Sequence, residues 1–417
     1  MPRHQSPVRR AFRPAVGLVL AATLATACGS GTKNAANSSP AGSTSASGAA
    51  TSATGSAAPA ASGAPVTAFT DAVKAQVQAK LDAAKQPVLF KDPGPALDAT
   101  KVAGKSIFFL VNSTQLPFVQ ALIDGVKEAG KAAGLKVSVG DGKNQATEQL
   151  RLLQQAVSTK PAAIIVFGST AGQLAGGLKA AKAAGIPVVE TVVGDPSMPT
   201  AQEIADYGIV SNATYCYSCA AALIADYAIV NLNGKVNALM TLDPGSASSL
   251  AQKAGFAKEF ATYCPDCTVK YVNTPTADSF RATGSAAQAA VQGQKVNFIF
   301  PQYDGYIEAV LPVLKSGNAE KRIMVGSYNA DLAQMIEMKA GTPVKIDVGS
   351  PVPWLAWGFV DEALRAMTGA APAPDENLPI RVFDTTNVAS FDLKADPGTW
   401  YGPTDYRASY LKLWGVK

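Results

Sequence analysis

From Ser106 onward, apolar strand-like runs alternate with helical patterns, and this alternation restricts the fold more than any other feature of the chain. Ser106–Asn112 is a continuous apolar strand and Phe118–Ala133 a helix. Lys136–Val139 then precedes helix Ala146–Thr159, and Ala162–Phe167 precedes helix Thr170–Ala184. Two strands, Pro187–Val192 and Asp206–Val210, lead into helix Tyr215–Leu232, strand Lys235–Thr241, helix Ser246–Tyr263 and strand Thr268–Val272. Helix Ser279–Gln292, strand Asn297–Phe300, helix Gly305–Ser316 and strand Arg322–Tyr328 complete the series. Strand–helix repetition of this kind implies right-handed crossovers and parallel sheets covered on both faces. The repeating part, about 310 residues long, exceeds one comfortable core, so two α/β lobes are expected. Such sheets bind ligands beyond the carboxyl ends of their strands. The loops of interest therefore start at Asn112, Gly168, Glu190, Leu242, Pro301 and Tyr328.

The amino terminus is of a different kind. Arg3, Arg9, Arg10 and Arg13 form a basic front without an acid, and an apolar run from Ala15 to Ala25 leads through small residues to Cys28. That is the layout of an export signal, with an apolar core of roughly a dozen residues that is too short to span a bilayer. Leu24-Ala25-Thr26-Ala27-Cys28 resembles a bacterial lipoprotein signal, although Leu24 sits one place further from the cysteine than usual. Residues 1–27 are expected to be removed and Cys28 lipidated, placing the protein on the outer face of the cell membrane. Arg9-Arg10 also hints at twin-arginine export. Residues 28–65, almost all Ala, Ser, Gly, Thr, Asn and Pro, are expected to form a flexible tether. Val66, Phe69, Val73, Val77 and Leu81 recur at helical spacing, so residues 66–100 read as a helix and an irregular connector around Pro93-Gly94-Pro95.

Composition narrows the chemistry. The single histidine, His4, belongs to the segment expected to be removed, so what remains has no means to build a Ser-His-Asp or Cys-His nucleophile or a histidine metal site. Four of the 36 cationic residues lie in that segment and none of the 31 acidic ones, which leaves the rest nearly neutral, with no basic face for nucleic acid. Beyond Cys28 the cysteines form two pairs, Cys216-Tyr217-Ser218-Cys219 and Cys264-Pro265-Asp266-Cys267. Such pairs suit a four-thiolate zinc site, a redox centre or two disulfides, and an exported protein favours disulfides.

Several segments resemble ribose-type periplasmic binding proteins. They are Ile107-Phe108-Phe109-Leu110-Val111-Asn112, Pro117-Phe118, Gly185-Ile186-Pro187-Val188-Val189, Gly255-Phe256, Gln302-Tyr303-Asp304 and Val325-Gly326-Ser327-Tyr328. The likeness runs from about Lys101 to Asn387. It implies two Rossmann-like lobes joined by three hinge strands that close on a small solute for an ABC permease, in a monomer without cofactor, metal or catalytic residue. Residues 101–210 plus 350–385 are then expected in the first lobe, and residues 211–349 plus 386–417 in the second. Within the last segment Tyr406, Tyr410 and Trp414 recur every four residues, which suits a helix covering the second lobe.

The resemblance also implies a site, and the chain departs from it. Where the family carries Asp-Arg after the fourth strand, this chain has Val192-Val193, with Glu190 just before. The family's second-lobe arginine falls near Gln252, its asparagine on Tyr303 before Asp304, and a further aspartate on Tyr328 before Asn329. Asn112, Gln115 and Phe118 keep the family's polar and aromatic character, and Trp354 is expected within reach of the cleft. Core packing is the competing reading for Phe118, Trp354, Trp357 and Tyr306. A polar clamp thus thinned and enriched in aromatic surface suits a small polar or aromatic-bearing solute, with a simple sugar as close competitor. On the same fold, two local bridges are expected, Cys216–Cys219 and Cys264–Cys267, at opposite ends of the second lobe. A ligand-sensing lipoprotein for a membrane receptor has the same sequence features. A cleft hydrolase would have only Glu190 and Asp304 to work with.

Overall fold

Val73, Val77 and Leu81 form the buried face of helix α1 (Asp71–Ala84), whose first turn is capped by the Thr70 hydroxyl accepting from the Val73 N–H at 3.3 Å. The computed structural model describes residues 65–275 and 280–416; the expected signal peptide, Cys28 and nearly all of the tether lie outside the described residues. After α1 the chain runs β1 (Ser106–Val111), α2 (Pro117–Ala132), β2 (Lys136–Asp141), α3 (Ala146–Thr159), β3 (Ala163–Phe167), α4 (Ala171–Ala183), β4 (Val188–Thr191), α5 (Ala201–Tyr207) and β5 (Ile209–Ala213). These strands make one parallel sheet in the order β2-β1-β3-β4-β5. Its edge strand β2 alternates exposed and covered positions, whereas β3 and β4 are buried throughout.

The second sheet follows from α6 (Tyr217–Asn231), β6 (Asn237–Leu242), α7 (Ala247–Tyr263), β7 (Thr268–Asn273), α8 (Arg281–Gly293), β8 (Phe298–Phe300), α9 (Ile307–Ser316), β9 (Met324–Asn329), α10 (Leu332–Lys339) and β10 (Val344–Gly349). Helix α11 (Val352–Thr368), strand β11 (Arg381–Asp384) and helix α12 (Tyr406–Leu413) end the chain. The order is β11-β10-β9-β8-β6-β7, parallel except for β11, which runs antiparallel to β10. The parallel strands of the two sheets thus repeat one winding, with switch points between β1 and β3 and between β6 and β8. The chain crosses between lobes three times, at residues 214–216, 350–351 and 369–380.

One core unites the α2/α11 face of the first sheet with the α6/α7 face of the second, and smaller cores lie under α3 and α4 and under α8, α9 and α10. Helices α6 and α7 approach closely because Gly255 has no side chain: a Cβ there would collide with the Ser218 carbonyl. Both expected bridges are present, Cys216–Cys219 at the start of α6 and Cys264–Cys267 just after α7. They sit at opposite ends of the helix pair, since Cys264 lies against Gly234, beyond the far end of α6.

Three expectations are corrected. The strand placed at Asp206–Val210 is the end of α5 followed by β5. α5 has no buried residue and so no apolar period; it is defined instead by the Thr200–Glu203 capping box and by Gly208 at φ 68°. Strand β11, assigned to the first lobe through residue 385, belongs to the second sheet because it completes its edge beside β10. Helix α12 covers the first lobe instead of the second. Its stripe Tyr406, Tyr410 and Trp414 packs on Trp354 and Trp357 of α11, and Arg407 pairs with Glu128 of α2 at 2.8 Å.

Candidate functional site

On the first lobe, Asn112 directly follows β1, and its Oδ1 accepts from the Ser113 N–H at 2.8 Å. Gln115 is exposed in the loop that follows, its N–H donating to Ser113 Oγ. Phe118, half-buried in the first turn of α2, lies 6.2 Å from Phe167 at the end of β3. These three share the mouth of the β1/β3 switch point. Glu190 sits deeper, within β4. It alternates with Val189 and so shares the sheet face of Val188, under α3 and α4. Across the sheet it pairs with Asn212, whose amide donates to the Val193 carbonyl at 2.8 Å. Glu190 Oε1 and Asn212 Oδ1 are both buried without a hydrogen-bond partner among the described residues. Burial pushes the Glu190 carboxyl up to about 7, and the Glu203 carboxylate adds in the same direction.

On the second lobe the carboxyl ends of β8 and β9 carry Tyr303 and Tyr328. The Tyr328 ring lies 6.2 Å from Tyr303, 5.5 Å from Tyr215 of the first crossing and 5.4 Å from Tyr217, the first residue of α6. The Tyr303 hydroxyl shares a 2.7 Å hydrogen bond with Ser248 at the start of α7. Gln252, one turn further along α7, is fully buried, with its amide nitrogen 3.5 Å from the Gln302 carbonyl. Gln302 itself, at φ 73°, accepts from the Asp243 N–H at 2.7 Å and from Ser249 Oγ at 2.8 Å, tying the two strands of the switch point together.

Asp304 acts as a brace. One carboxyl oxygen accepts from Ser327 Oγ, the other from the Asp331 N–H at 2.7 Å, and its carbonyl accepts from Gln334 at 2.9 Å. The turn it holds contains Asn329 at φ 130° and Ala330 at φ 56°, and Asp347 supports the same turn by accepting from the Ala330 N–H at 3.0 Å. Burial, followed by the charge of Asp347 and Asp331, holds the Asp304 carboxyl well above the usual range. Burial likewise pushes Asp347 up to about 7 and Asp331 up to about 6. The acids of this mouth are therefore wholly or partly protonated near neutral pH.

Trp354 does not reach the cleft. It stacks between Phe90 at 5.6 Å and Tyr406 at 5.1 Å in the aromatic layer under α12, where core packing explains it. Tyr215, Tyr217, Gln302 and Asp331 also stand at this mouth, and the strand–helix alternation does not single them out. Tyr215 precedes the first CxxC pair and Tyr217 lies inside it, in a stretch that reads as helix, and Asp331 lies beyond the last strand of the alternation.

One group of acids has the spacing of a metal site: Asp361, Glu362 and Glu376, all buried. Protein donors already bond at least one oxygen of each. Asp361 accepts from Arg365 and from Trp414 Nε1, both at 2.6 Å, Glu362 from the Ala373 N–H at 2.7 Å, and Glu376 from the Tyr410 hydroxyl at 3.1 Å. The cluster fastens α11 to the third crossing and to α12.

The cleft mouths together gather tyrosine rings, amides, hydroxyls and carboxyls, with Tyr215, Tyr217 and Tyr328 fully buried. A family model described as a periplasmic binding protein domain matches residues 107–371, and the chain belongs to that family. No curated protein sequence matches it. Among solved structures it is similar to an ABC transporter solute-binding protein from Agrobacterium vitis with bound allitol. The TM-score is 0.62 at 15% identity, over 69% of this chain and 98% of that one. A Mycobacterium smegmatis solute-binding protein with bound glycerol gives 0.61 at 18%, over 69% and 96%. The 5-methylthioribose transporter solute-binding protein of Thermotoga lettingae, in complex with 5-methylthioribose, gives 0.62 at 14%, over 76% and 95%. At these identities the likeness establishes the type 1 periplasmic-binding-protein fold. Among the described residues no helix is long and apolar enough to cross a membrane.

Proposed function

We propose that this chain is the solute-binding lipoprotein of an ABC importer, held to the outer face of the membrane through Cys28. In this reading it closes as a monomer on a small uncharged solute that combines hydroxyls with an apolar or aromatic face. The observation that carries the reading is the cluster of Tyr215, Tyr217, Tyr303 and Tyr328 at the mouth of the second sheet, beside acids whose carboxyls burial pushes above their usual range. Aromatic faces stack on the apolar side of a sugar-like ring, and phenol and carboxyl groups bond its hydroxyls. Val192-Val193, where ribose-type members carry Asp-Arg, removes a bidentate grip and favours a less hydroxylated ligand than a simple pentose. Of the ligands in the similar structures, 5-methylthioribose pairs hydroxyls with an apolar thioether, whereas allitol and glycerol are polyols without such a group.

The test is a thermal-shift panel of pentoses, hexoses, alditols, alkylthio-pentoses and aromatic glycosides, followed by calorimetry on every hit. At least one member that pairs an apolar group with hydroxyls is expected to raise the melting temperature more than the parent sugar does. Response to simple pentoses alone overturns the aromatic-solute version, and no response across the panel overturns the reading.

A further inference from the structure

The family match ends at residue 371, and the chain beyond it returns to the second sheet, with Tyr401 buried beside Gly349. A 3-10 turn at Pro397–Tyr401, capped by Asp396, delivers Tyr401 to the carboxyl end of β10. There a Cβ added at Gly349 would collide with the Tyr401 hydroxyl oxygen and with Ala330 Cβ. Gly349 is the last residue before the second crossing, and in the sheet it pairs with Asn329 at the mouth. The phenol of Tyr401 therefore stands where the terminal residue of a hinge strand would otherwise project its own side chain.

The residue is held from three sides. Its ring packs edge-on against Phe383 of β11, with centroids 5.3 Å apart, and its carbonyl accepts from the Val88 N–H at 2.8 Å. The Arg381 guanidinium binds the carbonyl of the preceding Trp400. A side chain fixed this way loses little freedom when it bonds a ligand. Its hydroxyl lies in the electrostatic reach of Asp347, Asp331 and Asp304 on one lobe and of Tyr215 in the first crossing. Burial, reinforced by those acids, keeps the phenol neutral, so it is able both to donate and to accept.

We propose that Tyr401, supplied by the carboxyl-terminal extension, is a specificity-determining residue of the cleft that bonds one hydroxyl of the solute beside the second crossing. This rests on the solute-binding reading above. It adds that the portion matching the family does not hold the whole site, and that discrimination between epimers at one hydroxyl comes from outside it.

The test uses the full chain and its Tyr401→Phe and Tyr406→Phe variants, titrated with the sugar and alditol panel including epimeric pairs. Tyr401→Phe keeps the ring on Phe383, so the ligand-free melting temperature is expected to stay near that of wild type. Affinity for the best solute is expected to fall by roughly 5- to 20-fold, and the preference between one epimeric pair to shrink. Tyr406→Phe, in the α12 layer, is expected to leave both unchanged. Wild-type affinity and epimer ranking retained in Tyr401→Phe overturn this inference while sparing the solute-binding reading. Absence of binding by wild type overturns both.

Discussion

The ring of Tyr328, at the end of β9, lies 5.5 Å from the ring of Tyr215, in the first crossing between the lobes. The mouth of the second sheet is thus packed directly on the hinge. Tyr328 is fully buried, and its hydroxyl has no hydrogen-bond partner among the described residues. An unpaired buried hydroxyl costs about 1–3 kcal/mol. Tyr328→Phe should therefore raise ligand-free stability by about 1 kcal/mol in denaturant titration while weakening solute binding in calorimetry. Tyr328→Ala should cost about 3–5 kcal/mol, the range for emptying an aromatic core position. A Phe variant that binds as tightly as wild type would remove Tyr328 from the site.

Helix α1, outside the family match, docks on the second lobe through Lys80. Its ammonium pairs with Asp226 of α6 at 2.8 Å and with Glu259 of α7. Burial and the neighbouring Glu259 push the Asp226 carboxyl up, against the pull of Lys80. Lys80→Met would leave two buried acids facing each other, and urea unfolding should show a loss of about 3 kcal/mol, the low end for a broken buried pair because Lys80 is partly exposed. Adding Asp226→Asn should recover part of it. An unchanged midpoint would mean that α1 contributes no more than cover.

Besides Asp304, burial pushes three acids up, Glu190 and Asp347 to about 7 and Asp331 to about 6. Each binds its proton more tightly in the folded chain than in the unfolded one. Their contribution is therefore fully present below the ordinary carboxyl range and is lost as pH rises through 6 to 7. With the only histidine at position 4, histidine supplies no opposing transition in the folded body. Thermal scans should give a higher melting temperature at pH 5.5 than at pH 8. Glu190→Gln should reduce that difference and raise the pH 8 value. A melting temperature that climbs steadily from pH 5 to 8 would contradict the burial of these acids.

The bridges Cys216–Cys219 and Cys264–Cys267 lie at opposite ends of the α6/α7 pair. Each closes a very short loop, worth about 2 kcal/mol on the chain-entropy model. Because Tyr215 directly precedes the first bridge and Tyr217 lies within its loop, the Cys216→Ser, Cys219→Ser variant should weaken both stability and solute affinity. The Cys264→Ser, Cys267→Ser variant should lower stability alone. Non-reducing peptide mapping that joins Cys216 to Cys264 would refute the pairing.

Much of the fold was legible because buried parallel strands such as β1 and β3 are nearly continuous apolar runs. What escaped detection has identifiable causes. α5 buries nothing, so no apolar period marks it, and only its caps betray it. The stripe of α12 announces a helix but not its partner, because Trp354 and Trp357 on α11 complement it as well as any second-lobe surface would. At the site, the strand-end positions of Asn112 and Tyr328 followed from the winding, and Tyr303 from the family resemblance. Asp304 was expected as a ligand group, but its carboxyl is turned inward by Ser327 and the Asp331 N–H, contacts that depend on register between strands. Tyr401 was beyond reach for a related reason: it is 52 residues downstream of the Gly349 position it fills, and no local pattern links the two.

Small-angle X-ray scattering of the full chain, recorded with and without saturating amounts of the best solute from the panel, tests the central claim most directly. Closure of two lobes about three crossings predicts a radius of gyration that falls on saturation and recovers when the solute is dialysed away. A radius that stays constant while calorimetry shows the solute bound would contradict hinge closure.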